Sequence, residues 1–173
     1  MDMNRLTQKS QEALHDAQTK ALRFGHVEVD GEHLLLALLD QGEGLVAPLL
    51  ARAGADPDRL REDLEAELGR RPRVSGPGVT PGQVHITQRL SRLLETADRE
   101  SRRLKDEYVS VEHLVIALVE EGSGSPISTG LFLLLRDRIW MVRRISESRP
   151  ITGSSLPAAA AATRSRPYLS SAS

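Results

Sequence analysis

Two stretches put a glutamate beside a histidine at the head of an apolar run: Glu32-His33 in VDGEHLLLALLD and Glu112-His113 in VSVEHLVIALVE. Such a pair could be half of a metal site or an acid/base couple. A carboxylate-bridged metal site needs Glu-x-x-His, because residues three apart share one helix face. Adjacent residues diverge by roughly 100° around a helix of 3.6 residues per turn, so neither pair converges on one ion. One Glu12-x-x-His15 occurs, but the corresponding residues 80 positions on are Arg92 and Glu95. His26 and His85 have no companions at ligand spacing and read as solvated loop residues. The chain has no cysteine, which removes thiolate metal ligands and cysteine nucleophiles. Neither a G-x-S-x-G elbow nor a G-x-x-x-x-G-K-[ST] loop occurs, so serine-hydrolase and P-loop chemistry have no anchor. The expectation is a protein without catalytic residues, metal or cofactor.

The elements that carry the pairs explain them better. A shift of 80 positions aligns residues 6–40 with 86–120 without a gap, with about ten identical pairs that include Thr7/Thr87, Leu14/Leu94, Val29/Val109, Glu32/Glu112 and His33/His113. That regularity marks a duplicated unit. The first helix of each unit starts at Thr7 or Thr87, whose hydroxyl can accept from a free N–H of the first turn. Its buried stripe is Leu6, Ser10, Ala13, Leu14, Ala17, Ala21 and Phe24 in one copy. In the other it is Ile86, Leu90, Leu93, Leu94, Ala97, Ser101 and Leu104, again at the spacing of one helix face. The second helix follows Asp30 or Ser110 as N-cap and is apolar nearly all round. Glu32 or Glu112 then falls in the first turn, where the helix dipole favours negative charge. His33 or His113 stands three residues after the cap, from where an imidazole can reach back as Glu does in a capping box. These five positions (Asp30, Glu32, His33, Ser110 and His113) are therefore read as structural helix-start residues.

In the first unit a short helix carries Pro48 in its first turn and closes at Gly54, and Asp56-Pro57 starts a fourth with Leu60, Leu64 and Leu68 as its stripe. The sequence thus divides into a first repeat at 1–68, a Pro/Gly-rich linker at 69–85, a second repeat at 86–149 that diverges after about 125, and a disordered tail at 150–173. Aromatics are only 3% of the chain, which with few β-branched runs favours an all-α protein. Residues 1–135 hold 16 Lys and Arg against 22 Asp and Glu, whereas 136–173 hold 7 against 2. An acidic body argues against nucleic acid as partner. The longest apolar stretch, LFLLL at 131–135, is far too short to span a bilayer, and a cytoplasmic location fits the missing cysteines.

The segment from MDMNRLTQKSQEAL to VDGEHLLLALLD, with the second copy ITQRLSRLLETADRESRRLKDEYVSVEHLVIAL, resembles the Clp N-terminal (Clp R) domain of ClpB-type disaggregase chaperones. The resemblance covers about residues 1–125. It implies an all-α domain of two pseudo-symmetric four-helix repeats that works by binding, not catalysis. The implied partners are unfolded or aggregated polypeptides, handed to a partner Clp ATPase. An adaptor-docking or regulatory module of such an ATPase is the alternative. Family positions tied to substrate handling fall on Thr7, Asp106 and Glu112, all of the family's residue type. The last fifty residues do not resemble the family's closing helices, which implies a truncated or frameshifted reading after about residue 125.

Overall fold

The structure, a computed structural model, describes residues 3–42, 44–73 and 84–121. After a 3-10 turn at Met3–Arg5, helix α1 (Gln8–Phe24) starts where the Thr7 hydroxyl accepts from the Ser10 N–H at 3.3 Å. It buries Ser10, Ala13, Leu14, Ala17 and Ala21 and ends at Gly25, whose φ of 76° reverses the chain as only glycine does without cost. Strand β1 (Glu28–Val29) leads into α2 (Gly31–Asp40), in which every residue from Gly31 to Leu39 is buried. Helix α3 (Val46–Arg52) keeps Pro48 in its first turn, where no intrahelical N–H is needed. Asp56 then caps α4 (Pro57–Arg70) by accepting from the Asp58 and Arg59 N–H groups, with Leu64 and Leu68 fully buried.

The second unit runs through strand β2 (His85–Ile86), helix α5 (Gln88–Arg103) and helix α6 (Val111–Glu120). Thr87 caps α5 as Thr7 caps α1, accepting from the Leu90 N–H at 3.0 Å. Helix α6 repeats the all-round burial of α2 from Val111 to Val119. The architecture is all-α, with four helices in the first repeat and two in the second among the described residues. The expected closing helices of the second repeat and the tail lie outside the described residues.

The repeats are joined by crossed strand pairing, which periodicity could not announce. Val29 pairs in parallel with Ile86, and Leu6 with Val109. These are the same two positions of the repeat exchanged between copies. Thr7 N–H donates to the Val109 carbonyl and Thr87 N–H to the Val29 carbonyl, each at 3.0 Å. One hydrophobic cluster spans both units, from Leu14 and Leu34 to Leu94 and Ile116. Burying each such leucine or isoleucine contributes about 1.5–3 kcal/mol.

Two expectations need correction. Ile86, assigned to the buried stripe of the second unit, is 44% exposed although its counterpart Leu6 is buried. It stands in the short strand before α5, so helix spacing does not set its direction. His26, read as a solvated loop residue, is buried. The left-handed turn at Gly25 folds it back onto α2, between Phe24 and His33.

Candidate functional site

Each unit lines up the same three positions, joined by two hydrogen bonds in the first and by one hydrogen bond and a close charge contact in the second. In the first, the Asp30 N–H donates to His33 Nδ1 at 3.0 Å, and His33 Nε2 lies 2.8 Å from His26 Nδ1. Because Nδ1 of His33 already accepts, its proton sits on Nε2 and is donated to His26. The remaining His26 nitrogen, Nε2, is buried near the Leu68 backbone without an aligned hydrogen bond. Burial, with the His26 ring and the Arg71 charge beside it, pushes His33 down to about 4. Burial and Arg71 also lower His26. In the second unit the Ser110 N–H donates to His113 Nδ1 at 3.0 Å, and His113 Nε2 stands 3.1 Å from Asp106 Oδ2. Burial lowers the His113 pKa against the opposing pull of Asp106, Glu112 and Glu100.

The two glutamates are buried but differently dressed. Glu32 receives Arg89 Nη2, and Arg71 Nη2 lies 3.0 Å from the same oxygen. Arg89 Nε also donates to Asp30 at 2.9 Å, as does the Thr87 hydroxyl. Burial opposes ionisation of Glu32, but the hydrogen bond and charge of Arg89, backed by Arg71, outweigh it and hold the carboxyl at about 2. In the second unit the position of Arg89 is held by Lys9, whose ammonium lies 3.6 Å from Glu12 on the surface of α1. There the junction of the repeats opens as a groove of about 230 Å³ bordered by Thr7, Lys9, Leu45, Ser110, Val111 and Glu112.

The structure therefore brings Thr7 of the first repeat and Glu112 of the second to one groove. Asp106 is not among the groove's lining residues; it stands behind His113 on the loop after α5. Asp30, Glu32 and His33 gather at the equivalent junction, where Arg71 and Arg89 pair with the two carboxylates and a cavity of about 240 Å³ is bordered by His26, Asp30, His33, Arg71 and Thr87. Among the described residues, no group of three or more His, Asp or Glu side chains could hold a metal ion. Sequence reasoning missed Leu45, Lys9, Arg71, Arg89 and the place of His26 beside His33. The offset of 80 carries part of the missing signal, because it sets His26 against Asp106 and Arg89 against Lys9.

Residues 5–128 match the family of the Clp repeat (R) N-terminal domain. A chaperone protein ClpB of Nitratidesulfovibrio vulgaris is 51% identical over 137 residues, which is 79% of this chain and 15% of that protein. The N-terminal domain of the ClpV1 ATPase from E. coli superposes with a TM-score of 0.67 at 29% identity, over 83% of this chain and 84% of that one. A ClpV N-domain solved as a complex with a VipB peptide gives 0.62 at 22% identity, over 84% and 90%. The chain spans about 15% of the length of the ClpB relatives it matches. It belongs to the Clp repeat N-terminal domain family.

Proposed function

We propose that this chain is a non-enzymatic binding module that docks exposed apolar segments of unfolded or aggregated polypeptide and presents them to a Clp-type ATPase. The observation that carries this reading is the groove between the repeats, lined by apolar Leu45 and Val111 and flanked by Thr7 and Glu112. At about 230 Å³ it is smaller than the ~300–1,000 Å³ of a typical small-molecule pocket. That size suits one or two side chains of an extended segment. Leu45 is 47% exposed, so a segment laid along the groove covers apolar surface already in water. Thr7 adds a polar contact at the rim that fixes its direction, and the Glu112 carboxyl lies buried within the wall beside it. Support also comes from the ClpV N-domain neighbour, whose structure is of a peptide complex.

Titrating the chain into a fluorescently labelled, permanently unfolded protein such as reduced, carboxymethylated α-lactalbumin tests this. Saturable binding is expected in the micromolar range, weakened by Thr7→Ala, Glu112→Ala and Leu45→Asp. No signal change up to high micromolar concentration would sink the reading. The adaptor-docking reading draws on Leu22 and Tyr108, which are 46% and 50% exposed outside the groove lining. It predicts one dominant folded partner in a pull-down, and binding that survives the groove substitutions.

A further inference from the structure

We propose that Asp106 is a positioning residue for the groove, acting through His113 and the Ser110 cap, and does not touch the bound segment. This rests on the groove reading above. Three observations carry it. Asp106 is absent from the groove's lining, whereas Ser110, Val111 and Glu112, the cap and first turn of α6, form one wall of it. His113 has no exposed surface and sits between the two, with Nδ1 accepting from the Ser110 N–H at 3.0 Å and Nε2 3.1 Å from Asp106 Oδ2. The first unit sets His26 where Asp106 stands, there with a hydrogen bond to the imidazole, so the juxtaposition of turn, imidazole and cap is a property of the repeat.

The mechanism follows from what an imidazole can do. A neutral ring has one N–H and one acceptor nitrogen. The Asp106 carboxylate, 3.1 Å from Nε2 though outside hydrogen-bond alignment, favours the proton on that side by its charge and leaves Nδ1 to accept from Ser110. Without that carboxylate the proton can move to Nδ1, where the Ser110 hydroxyl, 3.0 Å away, accepts it and the Ser110 N–H loses its acceptor. The cap then opens, and the first turn of α6, with Glu112 on it, loses its fixed place in the wall. The charged groups facing His113 are Asp106 on the loop after α5, Glu112 on α6 and Glu100 on α5. Only Asp106 of these is substantially exposed, its side chain at 45%, so the buried imidazole behind the cap is under the control of a residue that a partner or solvent can reach.

A double-mutant cycle separates this role from direct contact. His113→Gln keeps an N3 acceptor for the Ser110 N–H, as Gln does in an ordinary capping box, and severs the ring from Asp106. With the labelled unfolded protein as probe, Asp106→Ala should weaken binding about fivefold to tenfold in the native background and not at all in the His113→Gln background. Asp106→Asn, the milder variant, should show the same pattern if the alanine form folds poorly. Ring ¹⁵N shifts of His113 should report Nε2–H in the native chain and a shift toward Nδ1–H in both Asp106 variants. Equal losses in the two backgrounds, no loss in either, or an unchanged tautomer would overturn the proposal while leaving the groove reading standing. Absence of binding by the native chain would remove the groove reading and this proposal with it.

Discussion

At the scale of single residues, one backbone N–H decides the protonation of two side chains. The Asp30 N–H on His33 Nδ1 obliges the ring to carry its proton on Nε2, which in turn obliges His26 to accept. A proton added to either ring breaks a bond in the chain, in a site where burial already disfavours charge. The sign of the pH effect follows. His33 is held at about 4 in the fold against an ordinary value near 6.5, so between those limits the unfolded chain binds more protons. Stability is complete above about pH 6.5 and is lost as pH falls toward 4, by about 3 kcal/mol at ~1.4 kcal/mol per unit. His33→Gln keeps the N3 acceptor but cannot titrate, so its urea midpoint should change far less than that of the native chain between pH 6.5 and 4. Parallel profiles for the two proteins would show that His33 is not the group that titrates.

At the scale of elements, the two copies meet the same geometric demand with unequal residues. Helix α1 leaves through Gly25 at φ 76°, and α5 through Lys105 at φ 62°. In each copy the next residue's N–H returns to a carbonyl five back, His26 to Ala21 at 2.9 Å and Asp106 to Ser101 at 2.8 Å. This turn aims His26 and Asp106 at their imidazoles. A side chain in the left-handed region costs roughly 1–2 kcal/mol, offset in part because glycine has more freedom to lose on folding. Lys105→Gly should therefore stabilise the chain by about 0.5–1 kcal/mol, read as a higher midpoint in thermal unfolding. A lower midpoint would mean that the Lys105 side chain contributes more than its backbone strain costs. The helices were legible because their apolar stripes and cap residues are local: Thr7, Thr87 and Asp56 announce their helix starts in three or four letters. The strand pairs were not, since a two-residue strand has no period. His26 was not, because its burial depends on a turn that brings position 26 over position 33 rather than on any pattern around it. Of the groove, Thr7 and Glu112 are legible as helix-start residues, and only the family resemblance ties them to binding. Leu45 lies outside the aligned part of the repeat and carried no signal at all.

For the whole molecule, the question is whether two repeats make two folding units or one. Their core is one cluster, and the links across it are reciprocal. Arg89 of the second unit reaches Asp30 and Glu32 of the first, while Arg5 of the first pairs with Asp98 and donates to the Glu107 carbonyl of the second. The crossed strand pairs tie the same segments, Leu6 to Val109 and Val29 to Ile86. A unit parted from its partner would expose the inner faces of α2 and α6 and leave Glu32 buried with less compensation. Arg89→Ala tests this coupling. Removing one partner of a buried ion pair costs about 3–5 kcal/mol, and Arg71 Nη2, still 3.0 Å from Glu32, places the expected loss at the lower end of that range. The loss should appear as an earlier but still single urea transition, with amides of α2 and α6 losing exchange protection together. If α5 and α6 lost protection first while α1 to α4 stayed closed, the repeats would be separate units. The groove would then be a contact between two bodies, and its shape would vary with their separation.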